Sequence, residues 1–306
     1  MPASWPGQER VPDMIAIKNV LAATDLSDSS RDAASRAVQL CLAHGAQLEL
    51  LHVLEDLPPL AMLSMDQVLE DARTALEQEV ATLVPNGVSC RLAVETGKDF
   101  VSIVRSARKM MADVIVIGAH GHHVLRDYIL GTTAEKLIRK AAFPVLVVRQ
   151  APQEAYRRLL VPTDFSEASR QALAAASVIA PGASIDLLHV YSFWGEGRLS
   201  MAGAGAEALE SYRQQTEIAA RTTMDEWLQN LDLAGHRVEQ HFRQGHAASV
   251  ITQFVAERQH DLVVMGTSGR SGLPYILLGS VTEQALRTVP CDTLTIRPTE
   301  FHFELP

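Results

Sequence analysis

Two stretches of the chain share one pattern: Val20-Leu-Ala-Ala-Thr-Asp-Leu-Ser-Asp-Ser-Ser-Arg-Asp-Ala33 and Leu159-Leu-Val-Pro-Thr-Asp-Phe-Ser-Glu-Ala-Ser-Arg-Gln-Ala172. In both, a short apolar run ends in Thr-Asp, and serines lead from it into a segment of helix length. A second matching pair follows in the same order, Leu50-Leu-His-Val53 and Leu187-Leu-His-Val190. Matching segments in the same order indicate a tandem duplication of a whole domain rather than a short-period repeat.

The duplication divides the 306 residues into two predicted domains, which agrees with a typical domain size of about 150 residues. We predict the first domain at residues 14–150 and the second at residues 156–298, with tails at 1–13 and 299–306. The boundary falls between Gln150 and Tyr156, where Ala-Pro-Gln-Glu interrupts the repeated pattern.

Strand-sized apolar runs alternate with helix-sized segments in both halves. The predicted first-half strands are Asn19–Thr24, Gln47–Leu54, Val88–Glu95, Val114–Gly118 and Val145–Arg149. Those of the second half are Leu159–Thr163, Ser184–Tyr191, Arg237–Phe242, Leu262–Gly266 and Thr293–Arg297. The first-half helices are predicted at Ser29–His44, Met65–Leu83, Phe100–Met111 and Thr132–Ala141. Strands that alternate with helices across short connections predict an α/β fold, a parallel sheet covered by helices in each domain.

One segment of the second half breaks this alternation. The stretch Phe193–Ala206 contains several glycines and precedes a predicted helix from Glu207 to Leu231. We predict a flexible loop there, and a lid over a bound ligand is the alternative.

Charge and composition narrow the range of functions. The chain has 27 Lys and Arg against 36 Asp and Glu, and this net charge of −9 argues against binding to nucleic acid or to an anionic membrane. No apolar run approaches the roughly 18 residues of a membrane span, and residues 1–12 lack the apolar core of a secretory signal. The three widely spaced cysteines, Cys41, Cys90 and Cys291, are interpreted as reduced, mostly buried thiols of a cytoplasmic protein, and a redox role is the alternative.

A glycine-rich loop follows the fourth predicted strand of each half. The first contains Gly118-Ala-His-Gly121 and, after nine residues, Gly131-Thr132; the second contains Gly266-Thr-Ser-Gly269 and, after nine residues, Gly279-Ser280. Glycine lets the backbone approach a ligand, and the start of the following helix favours an anion such as phosphate. Ligands of open parallel sheets bind beyond the carboxyl ends of the strands, where Asp25 and Asp164 also lie.

The spacing G-x2-G-x9-G-[ST], together with an Asp after the first strand, resembles the ATP-binding signature of the universal stress protein family. The resemblance covers nearly the whole chain and implies two Rossmann-like domains, each a five-stranded parallel sheet with the first and fourth strands adjacent. It implies ATP as the cofactor, with Mg²⁺ as a possible companion. It also implies that the last strands of the two halves, Pro144–Arg149 and Asp292–Arg297, are in contact, and a homodimer of the whole chain is a further expectation.

The resemblance transfers a set of nucleotide-binding positions to each half. In the second half these are Pro162, Thr163, Asp164, Val190, Met265, Gly266, Ser268, Gly269, Gly279, Ser280, Val281 and Thr282. In the first half they are Ala23, Thr24, Asp25, Val53, Ile117, Gly118, His120, Gly121, Gly131, Thr132 and Thr133, with Ala134 in the place of Thr282. Because the first half lacks that last hydroxyl and the proline before the Asp, we expect both halves to bind and the second to bind better.

Several of these residues also have a structural explanation. Asp25 and Asp164 could cap the turns or helices that follow, and helix capping is the favoured role of Ser27 and Ser166.

Histidine and arginine positions near the loops are ambiguous in the same way. His52 and His189 end apolar strands and are interpreted as packed, hydrogen-bonded histidines. The cluster His120, His122 and His123 is interpreted as a solvated loop, with a transition-metal site as the alternative. Two loop arginines could reach a phosphate or point into solvent: Arg126 and Arg270.

The sequence lacks the common signatures of nucleotide-consuming enzymes. It has no G-x-x-x-x-G-K-[ST] motif, no kinase motif set and no recognisable nucleophile arrangement. The leading hypothesis is therefore an ATP-binding regulatory protein of the stress response, with little or no turnover and with unidentified protein partners. A weak ATPase or phosphotransferase is one alternative, and a scaffold or a binder of another small molecule is the other.

Overall fold

The computed structural model of the protein describes residues 16–54, 64–121, 130–192, 205–229, 231, 233, 235–269 and 278–297. Several predictions concern residues outside these ranges: both tails, the loop from residue 193 to 204, and the side chains of His122, His123, Arg126 and Arg270. No helix among the described residues is long and apolar enough to cross a membrane.

The described residues form ten strands that alternate with eight helices. The strands are β1 (Asn19–Thr24), β2 (Gln47–Leu54), β3 (Cys90–Thr96), β4 (Val114–Gly118), β5 (Val145–Val148), β6 (Arg158–Thr163), β7 (Ser184–Tyr191), β8 (Val238–Gln244), β9 (Leu262–Gly266) and β10 (Asp292–Ile296). The helices are α1 (Asp28–His44), α2 (Met65–Leu83), α3 (Asp99–Met110), α4 (Thr132–Lys140), α5 (Glu167–Ile179), α6 (Ala206–Leu228), α7 (Ala247–Arg258) and α8 (Ser280–Thr288).

One continuous sheet joins the two halves in the strand order β3-β2-β1-β4-β5-β10-β9-β6-β7-β8. Within each half the paired strands are parallel, which confirms the predicted α/β fold with five parallel strands per half. β5 and β10 pair antiparallel at the centre, so the last strands of the two halves make the contact that the resemblance implied. In both halves the first strand lies beside the fourth, and the chain reverses its strand order there.

The sequence pattern placed the central strands more accurately than the edge strands. β1, β2, β4, β7 and β9 have the predicted bounds. β1, β4 and β9 are almost fully buried, and β2 and β7 each contain four consecutive buried residues. β3 begins at Cys90 rather than at Val88, and β8 runs from Val238 to Gln244. Both lie at an edge of the sheet and have mixed burial, so hydrophobicity marks their ends poorly.

A buried polar cluster joins the first helix to the second half. Arg36 of α1 places its Nε 3.4 Å from the carboxylate of Asp292 and its guanidinium 3.9 Å from the centre of the Tyr156 ring. The Tyr156 hydroxyl donates to the same carboxylate at 2.6 Å, and the Arg149 amide donates to it at 2.8 Å. Burial raises the pKa of Asp292 and, with the nearby Asp292 charge, raises that of Tyr156.

Two arginines at the ends of the central strands reach across to the opposite half. Arg149 donates to the carbonyl of Leu286 near the end of α8. Arg297 donates to the carbonyls of Ile138 and Arg139 near the end of α4, and burial lowers its pKa to about 10. Cations in the last turn stabilise the exposed carbonyls of a helix, so each half stabilises a helix end of the other.

Candidate functional site

The turn after β1 is held in a strained conformation that aims Asp25 at the sheet edge. Oδ1 of Asp25 accepts a hydrogen bond from the amide of Ser27 at 3.1 Å, and Leu26 has a φ of +66°. The same turn follows β6, where Asp164 accepts from Ser166 at 3.1 Å and Phe165 has a φ of +65°. A bulky residue with positive φ is a genuine outlier, and such strain clusters at functional sites.

The serines after these turns are helix caps, as the capping interpretation predicted. Ser27 Oγ accepts from the amide of Ser30 at the start of α1, and Ser166 Oγ accepts from Ser169 at the start of α5. Oδ1 of each Asp side chain accepts the hydrogen bond of the turn, and Oδ2 faces the glycine-rich loop.

The glycine-rich loop lies directly against that second oxygen. A Cβ added at Gly121 would lie 2.7 Å from Oδ2 of Asp25, and one at Gly269 would lie 2.7 Å from Oδ2 of Asp164. The first glycine of each loop instead packs on the adjacent helix, since a Cβ at Gly118 would lie 2.8 Å from the backbone oxygen of Ser29. The loops therefore need glycine for two separate close approaches, one to a helix and one to a carboxylate.

The far end of each loop starts a helix whose first turn has no side-chain cap in the described structure. The amide of Gly131 donates to the carbonyl of Ala119 at 2.8 Å, and α4 begins at Thr132. The amide of Gly279 makes the matching bond to Thr267, and α8 begins at Ser280. Free amides at the start of a helix make a site for an anion.

These elements surround a cavity of about 450 Å³ in the first half. Apolar side chains from three strands and α3 form one part of its wall: Ala23, Leu51, Val53, Ile103 and Ile117. Polar and glycine residues form the rest: Thr24, Asp25, Ser30, Asp99, Gly118, His120, Gly121, Gly131, Thr132 and Thr133, with Ala134 beside them. All eleven first-half positions transferred by the resemblance therefore line a single cavity.

The sequence interpretation missed Asp99, the second carboxylate in this cavity. Asp99 starts α3, and its Oδ2 accepts a hydrogen bond from the Thr133 hydroxyl. Lys136 places its Nζ 3.8 Å from the other oxygen. A signal was present in the sequence, because Asp99 lies in the connection that follows β3, and such connections lie at the same edge of a parallel sheet as the Asp25 turn.

The nucleotide-binding positions predicted for the second half occupy places in the fold equivalent to those of the first half. The Thr282 side chain, however, has a structural role. Asp164 follows β6, Val190 lies near the end of β7, and Gly266 ends β9. Thr282 was expected to receive phosphate, but it is buried and its hydroxyl donates to the carbonyl of Gly266 at 2.8 Å. That hydroxyl therefore ties α8 to β9, and its replacement by the buried Ala134 removes a packing bond in the first half.

The strand-end histidines are satisfied within the protein, as predicted. His52 Nδ1 lies 2.8 Å from the carbonyl of Thr24, and His189 Nδ1 lies 2.9 Å from that of Thr163. His120 differs from these two histidines, because its buried Nδ1 has no hydrogen-bond partner among the described residues. The same side chain belongs to a residue that lines the cavity. His122 and His123 of the alternative metal cluster lie outside the described residues.

The duplication, the sheet order and the two glycine loops agree with one family model, which matches residues 16–149 and again residues 155–297. The chain belongs to the universal stress protein family. It thereby contains two copies of the family's domain in tandem.

Relatives of similar length support this assignment to the universal stress proteins. A universal stress protein of Mycolicibacterium smegmatis is 26% identical over 291 residues, 91% of this chain and 97% of the relative. Universal stress protein E of Salmonella typhi is 23% identical over 94% of this chain and 96% of its own length. The crystal structure of a universal stress protein from Archaeoglobus fulgidus has the same fold, with a TM-score of 0.61 and 19% identity over 91% of this chain and 98% of that one.

Proposed function

We propose that this universal stress protein binds an adenine nucleotide, ATP with Mg²⁺, in the first-half cavity and acts as a regulatory protein of the stress response. The observation that carries the proposal is the convergence of three features on one cavity: the strained Asp25 turn, the glycine-rich loop and the free start of α4. A volume of about 450 Å³ is within the range of small-molecule sites, roughly 300–1,000 Å³.

The distribution of polarity along the cavity suggests the orientation of the nucleotide. The apolar wall that includes Leu51, Val53 and Ile103 suits a planar base, and Asp25 beside it can accept from a base or sugar donor. Thr132 and Thr133 at the other end lie in the uncapped first turn of α4 and offer backbone amides to phosphates.

Asp99 is expected to make the phosphate end of the cavity selective for Mg-ATP over free ATP. A carboxylate next to Thr133 repels a bare triphosphate, and a divalent cation between the two removes that repulsion. We therefore infer that Mg-ATP, rather than free ATP, is the ligand of the first half.

The second half is a further candidate site. Its Asp164 approaches Gly269 as closely as Asp25 approaches Gly121, and Ala247 occupies the place of Asp99. We propose binding there as well, in a cytoplasmic protein that acts through protein partners or a homodimer. Turnover is expected to be slow, because the described cavity holds its carboxylates at a turn and in a hydrogen bond to Thr133.

Calorimetric titration of Mg-ATP into nucleotide-free protein tests the proposal. The matched variants are Gly121→Ala and Gly269→Ala, whose new Cβ atoms each meet only the end of a flexible carboxylate at 2.7 Å. Each is expected to keep the fold and weaken its own half's site by about 10- to 100-fold, the value of a hydrogen bond to a charged group. Phosphate release is measured in parallel.

The outcomes distinguish the competing functions. Loss of one site in each variant supports nucleotide binding in both halves, and loss only in Gly121→Ala restricts it to the first half. Release of phosphate that stops when Asp25 is replaced would favour the ATPase alternative. Absence of heat and of any thermal shift with ATP or adenosine would leave the scaffold function.

A further inference from the structure

A second polar cluster lies at the opposite end of the sheet from the glycine loops. Asp186 of β7 is buried near the amino end of its strand, four residues before Val190, or about 13 Å along the strand. Its register partner on β8 is Glu239, and His241 follows two residues later on the same face. The nucleotide proposal uses none of these three residues.

The three side chains converge as metal ligands do. His241 Nε2 lies 3.2 Å from Oδ1 of Asp186 and 3.7 Å from Oε1 of Glu239, and one oxygen or nitrogen from each residue lies within 4.8 Å of the other two. Ligand atoms about 2.0–2.2 Å from a tetrahedral Zn²⁺ are separated by roughly 3.3 Å. A single N–H of His241 can satisfy only one of the two carboxylates, whereas a cation satisfies both.

A supporting residue orients the central carboxylate. His260 is buried and its Nε2 lies 2.9 Å from Oδ2 of Asp186. Nδ1 of the same ring is buried without a hydrogen-bond partner among the described residues. A ligating carboxylate is commonly held in place by a hydrogen bond of this kind from a residue behind it.

Arg258 supplies a positive charge at this position. Its Nε lies 3.0 Å from Asp186, its Nη2 lies 2.9 Å from Glu239, and the same Nη2 lies 3.5 Å from His241. The side chain is 40% exposed, so it can leave the cluster for solvent without unfolding α7. The exposed side of Glu239 opens the same route to an entering ion.

The first half provides an internal comparison at the same place in the fold. Glu49 of β2 corresponds to Asp186, but its register partner on β3 is Arg91, and Ala93 stands where His241 does. Glu49 is satisfied by the Ser106 hydroxyl and lies 3.6 Å from Nε of Arg91. The buried carboxylate therefore needs only an arginine and a hydroxyl for folding, and the extra carboxylate and histidine are particular to the second half.

We propose that Asp186, Glu239 and His241 bind a divalent first-row transition-metal ion, with Zn²⁺ as the best match, and that the ion exchanges with the Arg258 guanidinium. One imidazole and two carboxylates suit Zn²⁺ better than Mg²⁺ or Ca²⁺, which prefer six or more oxygen ligands. Three protein ligands leave one coordination position open to water or to a further ligand.

Calorimetric titration of Zn²⁺ into the chelator-treated full-length protein tests this site. The wild type is expected to bind one ion here, and His241→Gln is expected to raise its Kd by at least about 100-fold. His260→Gln is expected to raise Kd by about 10- to 100-fold through loss of orientation. Arg258→Met keeps the apolar stem, removes the competing charge and is expected to lower Kd. His246→Gln, an exposed histidine at the start of α7, is the matched control and leaves Kd unchanged.

A Co²⁺ absorption spectrum of the wild type provides a second test that needs no variant. A four- or five-coordinate spectrum without a thiolate charge-transfer band supports the proposal. A thiolate charge-transfer band would show that cysteines bind the metal and would overturn the proposal. Failure of both wild type and Arg258→Met to bind Zn²⁺, or equal binding by folded His241→Gln and wild type, would also overturn it.

Discussion

The buried cluster between the two halves leads to the sharpest stability prediction, for Arg36→Met. The side chain of Arg36 is 8% exposed and that of Asp292 is 2% exposed, so the substitution leaves a carboxylate in the interior without its cation. Breaking a buried ion pair in this way costs about 3–5 kcal/mol. At about 2 °C per kcal/mol for a large chain, we expect Tm to fall by about 6–10 °C.

The matched control is Arg31→Met on the same helix, because Arg31 forms an ion pair with Asp28 in which both side chains are mostly exposed. Surface pairs of this kind contribute little, so the control is expected to unfold as the wild type does. Urea unfolding and calorimetry of the three proteins measure the difference. Equal midpoints for Arg36→Met and Arg31→Met would refute the assignment of Arg36 as the partner that holds Asp292.

The pH dependence of the stability lost in Arg36→Met provides an independent test of the same assignment. Burial already raises the pKa of Asp292 in the folded protein, and removal of the Arg36 charge raises it further. A carboxyl with a raised folded-state pKa stabilises the fold at low pH and loses that contribution as pH rises through the folded-state pKa. The deficit of Arg36→Met is therefore expected to be larger at pH 8 than at pH 5, and a deficit that shrinks towards pH 8 would contradict the mechanism.

Three further predictions concern single groups. Asp99→Asn is expected to increase the affinity for Mg-free ATP several-fold and to leave adenosine binding unchanged, as measured by calorimetry with and without chelator. Burial raises the pKa of Glu79, so the ionised form costs stability at neutral pH; Glu79→Gln is expected to stabilise at pH 7 and to be neutral at pH 4 in urea melts. Burial raises the pKa of all three thiols, that of Cys41 to about 12, but Cys41 and Cys291 are buried whereas Cys90 is half-buried at a sheet edge. Cys90 is therefore expected to be the first thiol labelled by a disulfide reagent, with the other two labelled only on unfolding.

The sequence predicted the fold well because the duplication tests each element twice. The runs around Val20 and Leu159 have the same neighbours in the same order, so an error in one half would conflict with the other. The edge strands were less certain because their burial is mixed and β3 and β8 each have a partner on one side only. The central strands β4 and β9, in contrast, begin with three or four consecutive buried Val, Ile or Leu residues, which mark them clearly in the sequence.

The candidate site was predicted as a set of positions but not as a set of contacts. Spacing placed Asp25 and Gly121 at one sheet edge, but it did not predict that a Cβ at Gly121 would lie 2.7 Å from the Asp25 carboxylate. Nor did it predict the positive φ of Leu26 in the same turn, because leucine rarely adopts that conformation. The hydrogen bond between Thr133 and Asp99 was not predicted either, because Asp99 belongs to a different segment, the start of α3. Contacts between distant segments depend on register, and register is set by packing.

The comparison of the two halves separates what the fold requires from what a ligand would require. The Asp turns, the capping serines and the strand-end histidines recur in both halves with matching bonds, so they belong either to folding or to a shared ligand. Asp99 occurs only in the first half, at the carboxyl edge of its sheet, and the Asp186–Glu239–His241 cluster occurs only in the second, at the amino edge. The other half forms the same elements without either feature, so the shared fold does not call for them. Each is therefore where the chemistry particular to one half is to be sought.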